Sequence, residues 1–253
     1  MDAPARSITL EPIDPLLVDE LTDRLADLTA DVDLCFKREH LESCVRHLLY
    51  VEQVNRYINL TRITDLDDAL VLHILDSLLL LPFIPDSDRK VLDMGTGAGY
   101  PGIPLAACSD LEFTLLDSVG KKVNACNAFI HELGIRNAVA FHDRIESFAA
   151  SHRGQFDCVI ARALASMPVL LEYARPYLHV GGCVVLAKGV PDDREIDDAL
   201  SVAELLGYAP VEHVSFDLPY GLGSRSVYTF EVTVKSSVKL PRPNGEARRK
   251  PLV

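Results

Sequence analysis

Between Lys90 and Asp117 the chain reads as an apolar run, a glycine-dense turn, a short helical stretch and a second apolar run that closes on a carboxylate. The turn lies in Val91-Leu92-Asp93-Met94-Gly95-Thr96-Gly97-Ala98-Gly99-Tyr100-Pro101-Gly102-Ile103-Pro104, and the acid closes Leu115-Leu116-Asp117, 22 residues after Gly95. Strand, tight turn, helix and strand in this order form a βαβ unit, which belongs to an α/β sheet. The glycines let the backbone pass close to a ligand without a Cβ clash, and an acid at that distance reaches ribose hydroxyls. The layout is one for binding adenosine.

The glycine register separates one adenosine ligand from another. A dinucleotide fingerprint G-x-G-x-x-G starting at Gly95 needs a third glycine at position 100, where the chain has Tyr100. The pattern is instead G-x-G-x-G, through Gly95, Gly97 and Gly99, and the turn leads into Pro101, which has no N–H to offer a phosphate. That register suits the phosphate-free S-adenosyl-L-methionine of Rossmann-like methyltransferases.

Strand-like and helix-like runs alternate after Arg89. Strands are expected at 90–94, 112–117, 138–142, 156–161 and 183–188, with helices near 101–107, 121–133, 144–150, 167–178 and 192–206. Two further strands, 209–216 and 226–234, are separated by a loop holding Pro219, Gly221 and Gly223 and are expected to pair as a hairpin. Five βα units closed by a hairpin resemble the class I methyltransferase sheet. The expected fold is therefore α/β and Rossmann-like: a mostly parallel seven-stranded sheet, a C-terminal antiparallel hairpin and a helical region in front. Residues 1–15, with Pro4, Pro12 and Pro15, read as an irregular lead-in. Leu41, Cys44, Val45, Leu48, Val51, Val54 and Ile58 follow helical spacing, and Asp65, Asp67 and Asp68 favour the start of a further helix through Leu81. Pro82 and Pro85 then set the expected organisation: 1–85 lead-in and helices, 86–234 cofactor-binding domain, 235–253 basic tail.

Charge is unevenly distributed. The net charge of −12 is awkward for a nucleic-acid partner, whose phosphates call for a basic surface. From Lys235 onward, however, six bases face the single acid Glu246, a balance of +5, so the remainder carries −17. The tail is read as a flexible basic arm that adds phosphate contacts and whose removal leaves cofactor affinity intact, the alternative being a solvated or packing tail. The six cysteines form no C-x-x-C pair, and His131-Glu132 is not followed by the second histidine of a zincin, so neither a disulfide framework nor a metal site is expected. The N-terminus has no basic region followed by an apolar stretch, and Ala69 to Leu81 contains His73, Asp76 and Ser77 and falls short of a membrane span. The reading is a soluble cytoplasmic protein.

Several chemistries lack their residues. No tyrosine has lysine four positions later, as a short-chain dehydrogenase would need; no cysteine follows a proline, as a cytosine-C5 nucleophile would; and the turn after the fourth strand reads Ile160-Ala161-Arg162-Ala163, not an Asn/Asp-Pro-Pro-Tyr type. The chain fits an acceptor that needs little activation.

Six segments in order then carry a resemblance. Asn55-Arg56-Tyr57-Ile58-Asn59-Leu60-Thr61, His73-Ile74-Leu75-Asp76-Ser77-Leu78, the Asp93 to Pro104 turn, Leu116-Asp117-Ser118, Arg162-Ala163-Leu164-Ala165-Ser166 and Leu186-Ala187-Lys188-Gly189 together resemble the RsmG family, also called GidB. The similarity runs from about Glu39 to Val234. It implies methylation of N7 of a guanosine in the 530-loop region of 16S ribosomal RNA, with 16S ribosomal RNA or the small ribosomal subunit as partner. It further implies cofactor contacts at Gly95, Tyr100, Ile145, Glu146 and Arg162, alongside Gly97, Gly99 and Asp117 from the motif. No catalytic side chain is assigned, since N7 carries an exposed lone pair and no proton leaves before transfer. Two departures are visible: Tyr100 stands where the family often has Phe or Leu, and Leu72 where it usually carries a base. His73, Asp76 and Lys188 are candidates for an RNA entrance or a cofactor loop. The alternatives are a methyltransferase of a small molecule or protein, a nicotinamide oxidoreductase, and a methyltransferase-fold binding module without turnover.

Overall fold

A computed structural model describes residues 8–85 and 89–253. The first part of the expected lead-in, residues 1–7, and the expected boundary at residue 86 lie outside the described residues.

The parallel strands β1 (Lys90–Met94), β2 (Glu112–Asp117), β3 (Ala138–His142), β4 (Phe156–Arg162) and β5 (Leu178–Lys188) are joined by β6 (Tyr208–Asp217) and β7 (Ser224–Val232) in the order β3-β2-β1-β4-β5-β7-β6. β7 runs antiparallel between β5 and β6 and turns the C-terminal hairpin back into the sheet. Central strands covered on both faces must be apolar on both, and β1 and β4 are. Alternate side chains enter different cores. Val91, Leu115, Ile160 and Val185 pack on one side, and Leu92, Leu116, Val159 and Val184 on the other.

The first side is closed by the N-terminal helices α1 (Pro15–Ala30), α2 (Arg38–Asn55), α3 (Leu66–Ala69) and α4 (Asp76–Leu78), with α5 (Gly102–Ala107) and α6 (Gly120–Glu132). Asp14 caps α1 by accepting from the Leu16 amide, and Asp65 caps α3 through the amides of Asp67 and Asp68. Between α3 and α4 the backbone forms a π-helix, Leu70–Leu75, so Ala69 to Leu78 is one buried apolar rod with a wider turn at its middle. No helix among the described residues is long and apolar enough to cross a membrane.

The second side is closed by α7 (Ile145–Phe148), α8 (Met167–Ala174), α9 (Asp193–Leu206) and the tail with its short helix α10 (Glu246–Arg249). The tail corrects the sequence reading. It is not a loose arm: Leu240 and Ala247 are buried in the core, and Arg242 pairs with both oxygens of the buried Glu172. Removing Leu240 from that core forfeits roughly 1.5–3 kcal/mol of hydrophobic stabilisation, so the basic composition hides an apolar anchor.

Candidate cofactor site

The strand order reverses at β1, whose neighbours are β2 and β4, so a crevice opens beyond the carboxyl ends of these strands. The turn after β1 sits there. The amides of Gly95 and Thr96 both donate to the Leu116 carbonyl, at 2.8 and 3.1 Å, which fixes the turn to the end of β2. Gly95 has φ +74° and Gly99 φ +95°, a region L side chains avoid. A Cβ on Gly95 would lie 2.7 Å from Leu164 Cδ1, and one on Gly99 2.5 Å from Ile103 Cδ1. On Gly97, also at positive φ (+63°), the nearest atom would be 3.9 Å away, an ordinary contact, so the turn is not crowded there.

Asp117 holds this arrangement from the other strand. Its Oδ2 accepts the Gly97 amide at 3.0 Å and its Oδ1 accepts the Val119 amide at 2.9 Å. Each carboxylate oxygen has a second lone-pair direction, so both can take hydroxyls as well. Asp93 lies one strand over: Oδ2 accepts the Gly102 amide at 2.9 Å, and Oδ1 is buried without a protein hydrogen bond. Burial pushes the Asp93 carboxyl up to about 6.

Two cavities flank the turn. One, of about 170 Å³, is lined by Gly95, Asp117, Ile145 and Glu146, four of the residues expected from sequence, with Arg144 and Arg248 among the others. The second, of about 290 Å³, is lined by His73, Asp76, Arg162, Lys188 and Arg225. Arg162 therefore stands apart from the first four. Its Nη1 donates to the Leu72 carbonyl at 3.0 Å and to Asp76 Oδ2 at 2.9 Å, while Arg225 Nε donates to Asp76 Oδ1 at 2.9 Å. Asp76, only 4% exposed along its side chain, is thus a buried bridge between two guanidiniums from β4 and β7. His73, one turn earlier, bonds to Thr61 Oγ1 at 2.9 Å instead. Lys188 is engaged by Glu195 at 2.8 Å and by the Ala165 carbonyl at 3.0 Å.

Tyr100 lies behind the turn. Its buried ring stacks on His73 at 4.5 Å and tilts against His47 at 4.6 Å, and the Arg162 guanidinium lies 5.7 Å from the ring centre. His47 was not legible as a site residue, yet its Nε2 bonds to the Ala98 carbonyl inside the turn at 2.9 Å. Burial lowers His47 to about 3, and burial followed by the Arg162 charge lowers His73 to about 4. Both rings are neutral struts at physiological pH. Ile145 and Glu146 are fixed through their own partners: the Tyr177 hydroxyl donates to the Ile145 carbonyl, and Glu146 Oε1 accepts the Gly245 amide at 2.6 Å. Among the described residues no group of three or more His, Cys, Asp or Glu is placed to hold a metal ion.

A nucleoside with two adjacent hydroxyls and no phosphate fits these residues: an acid with spare lone pairs beside a glycine turn that meets no clash at Gly97. The fold is shared with solved methyltransferases. An O-methyltransferase from Bacillus cereus superposes with a TM-score of 0.53 at 15% identity, over 85% of this chain and 99% of that one. A SAM-dependent methyltransferase from Aquifex aeolicus gives 0.51 at 17% identity, over 65% of this chain and 93% of the other. In sequence, the chain is 38% identical over 206 residues to a ribosomal RNA small subunit methyltransferase G from Lactobacillus delbrueckii subsp. bulgaricus, covering 79% of this chain and 86% of the relative. A protein of the same name from Acetivibrio thermocellus is 34% identical over 205 residues, covering 80% and 84%. The GidB family, described as rRNA small subunit methyltransferase G, matches residues 40–219. With the glycine turn, the acid of β2 and the sheet order all in place, the chain belongs to the GidB family of rRNA small subunit methyltransferases.

Proposed function

We propose that this chain transfers the methyl group of S-adenosyl-L-methionine to N7 of a guanosine in the 530-loop region of 16S ribosomal RNA. The observation that carries this reading is the pairing of Asp117 with the uncrowded Gly97 turn, within a chain of this family. Gly95, Gly97, Gly99, Asp117, Ile145 and Glu146 would hold the nucleoside part of the cofactor. Tyr100 and Arg162 would act from behind, the first by filling the space under the turn and the second by fixing the mouth beside it. The cofactor supplies an electrophilic methyl group on a sulfonium.

The remaining task is placement. N7 of guanine presents a lone pair and gains a positive charge on methylation, so no base has to remove a proton first. The protein must align acceptor, methyl carbon and sulfur, and the rate gain comes from proximity and electrostatics without a covalent intermediate. The second cavity gathers Arg162, Arg225 and Lys188 against Asp76 and Glu195, which pair with all three and leave an excess of one positive charge facing an anionic polymer, although the chain as a whole is acidic. N7-methylguanosine mapped in 16S ribosomal RNA from cells with and without this chain tests the reading. A methyl mark that persists in its absence, or an unmethylated guanosine in its presence, sinks it.

A further inference from the structure

The C-terminal segment reaches the cavity that contains Asp117. Gly245 and Arg248 stand in its wall beside Gly95, Ile145 and Glu146. Four anchors keep them there. The Gly245 amide donates to Glu146 Oε1, Arg248 Nη2 donates to the Leu164 carbonyl at 2.9 Å, Arg153 Nη1 donates to the Leu240 carbonyl at 2.7 Å, and Arg242 is clamped on Glu172. The Leu164 side chain in turn lies over Gly95, so Arg248 also fixes the residue that roofs the glycine turn.

The charges of this wall select a ligand. Asp117 and Glu146 share the cavity with Arg144 and Arg248. A phosphate would meet two carboxylates, whereas an uncharged purine meets a planar guanidinium on which its ring can stack. We propose that Asn244 to Arg249 forms the closing wall of the cofactor site and that Arg248 contacts the adenosine part of the cofactor. This rests on the cofactor reading above and adds to it a part of the chain outside the strand-turn-helix motif. It also reverses the expectation that removing the tail leaves cofactor affinity intact.

Titration of the full-length protein with S-adenosylhomocysteine and with adenosine tests this, using the parent, Arg248→Ala, Arg248→Lys and Asp117→Ala. Arg248→Ala should weaken both ligands roughly 3- to 30-fold with an unchanged melting temperature of the ligand-free protein, and Arg248→Lys, which keeps charge but not the plane, should recover little. A parent that binds and an Asp117→Ala variant that loses binding, alongside an Arg248→Ala variant that binds like the parent, would keep the cofactor reading and overturn the role of the tail. A parent that does not bind overturns the cofactor reading itself. Hydrogen exchange on the unmutated chain gives an arm independent of any folding defect: amides of residues 244–249 should gain protection when S-adenosylhomocysteine is added, and unchanged protection refutes the proposal.

Discussion

The two cavities beside the glycine turn are built by opposite means. The one at Asp117 is founded on backbone, strand ends, amides held by one carboxylate and a glycine turn with no room for side chains on two of its residues, and Arg144, Glu146 and Arg248 complete its wall. The one at Asp76 is made of long side chains brought from the N-terminal helices, β4 and β7 and locked by a buried ion triad. A pocket founded on backbone is rigid because its hydrogen bonds are those of the fold, and the change that costs it most is one in the turn or its acid. A side-chain pocket depends on mutual neutralisation, since a buried charge left without a partner is costly. The difference teaches where each site is fragile. The cofactor side fails by losing affinity, and the mouth fails by losing stability.

The largest expected effect tests the second half of that contrast. Asp76→Ala strands two guanidiniums that are 13% and 20% exposed and should cost about 3–5 kcal/mol in urea unfolding. A cost under about 1 kcal/mol would show that the mouth is not held by the triad. Next comes Asp117→Ala, which should leave the fold standing and reduce affinity for S-adenosylhomocysteine roughly ten- to hundredfold, a loss of about 1.5–3 kcal/mol by calorimetry. If unfolding free energy drops as far as binding does, the cofactor pocket is no more independent of stability than the mouth.

Acid titration probes the partition between the two pockets. His47, behind the turn, and His73, in the mouth, stay neutral in the fold to about 3 and 4, but in the unfolded chain they take up protons near 6.5. The unfolded state therefore binds more protons, and stability is lost as pH falls from about 6.5 towards 4, by up to about 1.4 kcal/mol per pH unit for each ring. Asp93 opposes them. Its raised value means that the native state holds a proton that the unfolded chain has released, so this group loses stability as pH rises from about 4 to about 6. Asp93→Asn should accordingly raise the melting temperature above pH 6 and steepen the acid-side decline, measured by melting across a pH series; a parallel curve would remove Asp93 from the account. The smallest expected effect is none: with RNA and cofactor saturating, single-turnover methyl transfer should be nearly flat between pH 7 and 8. A steep rise there would require a general base that the proposed chemistry does without.

Legibility in the sequence follows the same division. β1, β2 and β3 begin and end where the apolar runs do, and Asp117 was evident, because those contacts are set within a single βαβ unit. The expected helix 167–178 instead stops at Ala174 and tightens into a 3-10 turn at Arg175–Tyr177, because Pro176 has no amide with which to continue it. β5 starts at Leu178, five residues before the expected strand, as polar and glycine residues at its head disguised the pairing with β4. Asp76 meets Arg225 across 149 positions, and Glu146 meets Gly245 across 99. Spacing along the chain carries no trace of such pairs. The tail misled for a different reason: charge counting weighed its six bases, while Leu240 and Ala247 decide where it goes. Arg242 is neutralised inside the protein by Glu172 and by Glu246, so it is not available to a polyanion as the composition implied.

The π-helix at Leu70–Leu75 gives the mouth a counting rule. A π turn is an α-helical turn with one residue too many, retained where a side chain has to be aimed. Deleting one residue between Leu70 and Leu75 would let the rod close as an ordinary α-helix with better backbone hydrogen bonds. Because the residue removed is the surplus one, Asp76 would still face both arginines; tightening the turn at constant length would instead swing everything after it by about 100° and carry Asp76 away from them. The bulge therefore makes the width of the turn a matter of address: it takes up a residue so that the carboxylate still arrives on the side of the molecule where the arginines wait.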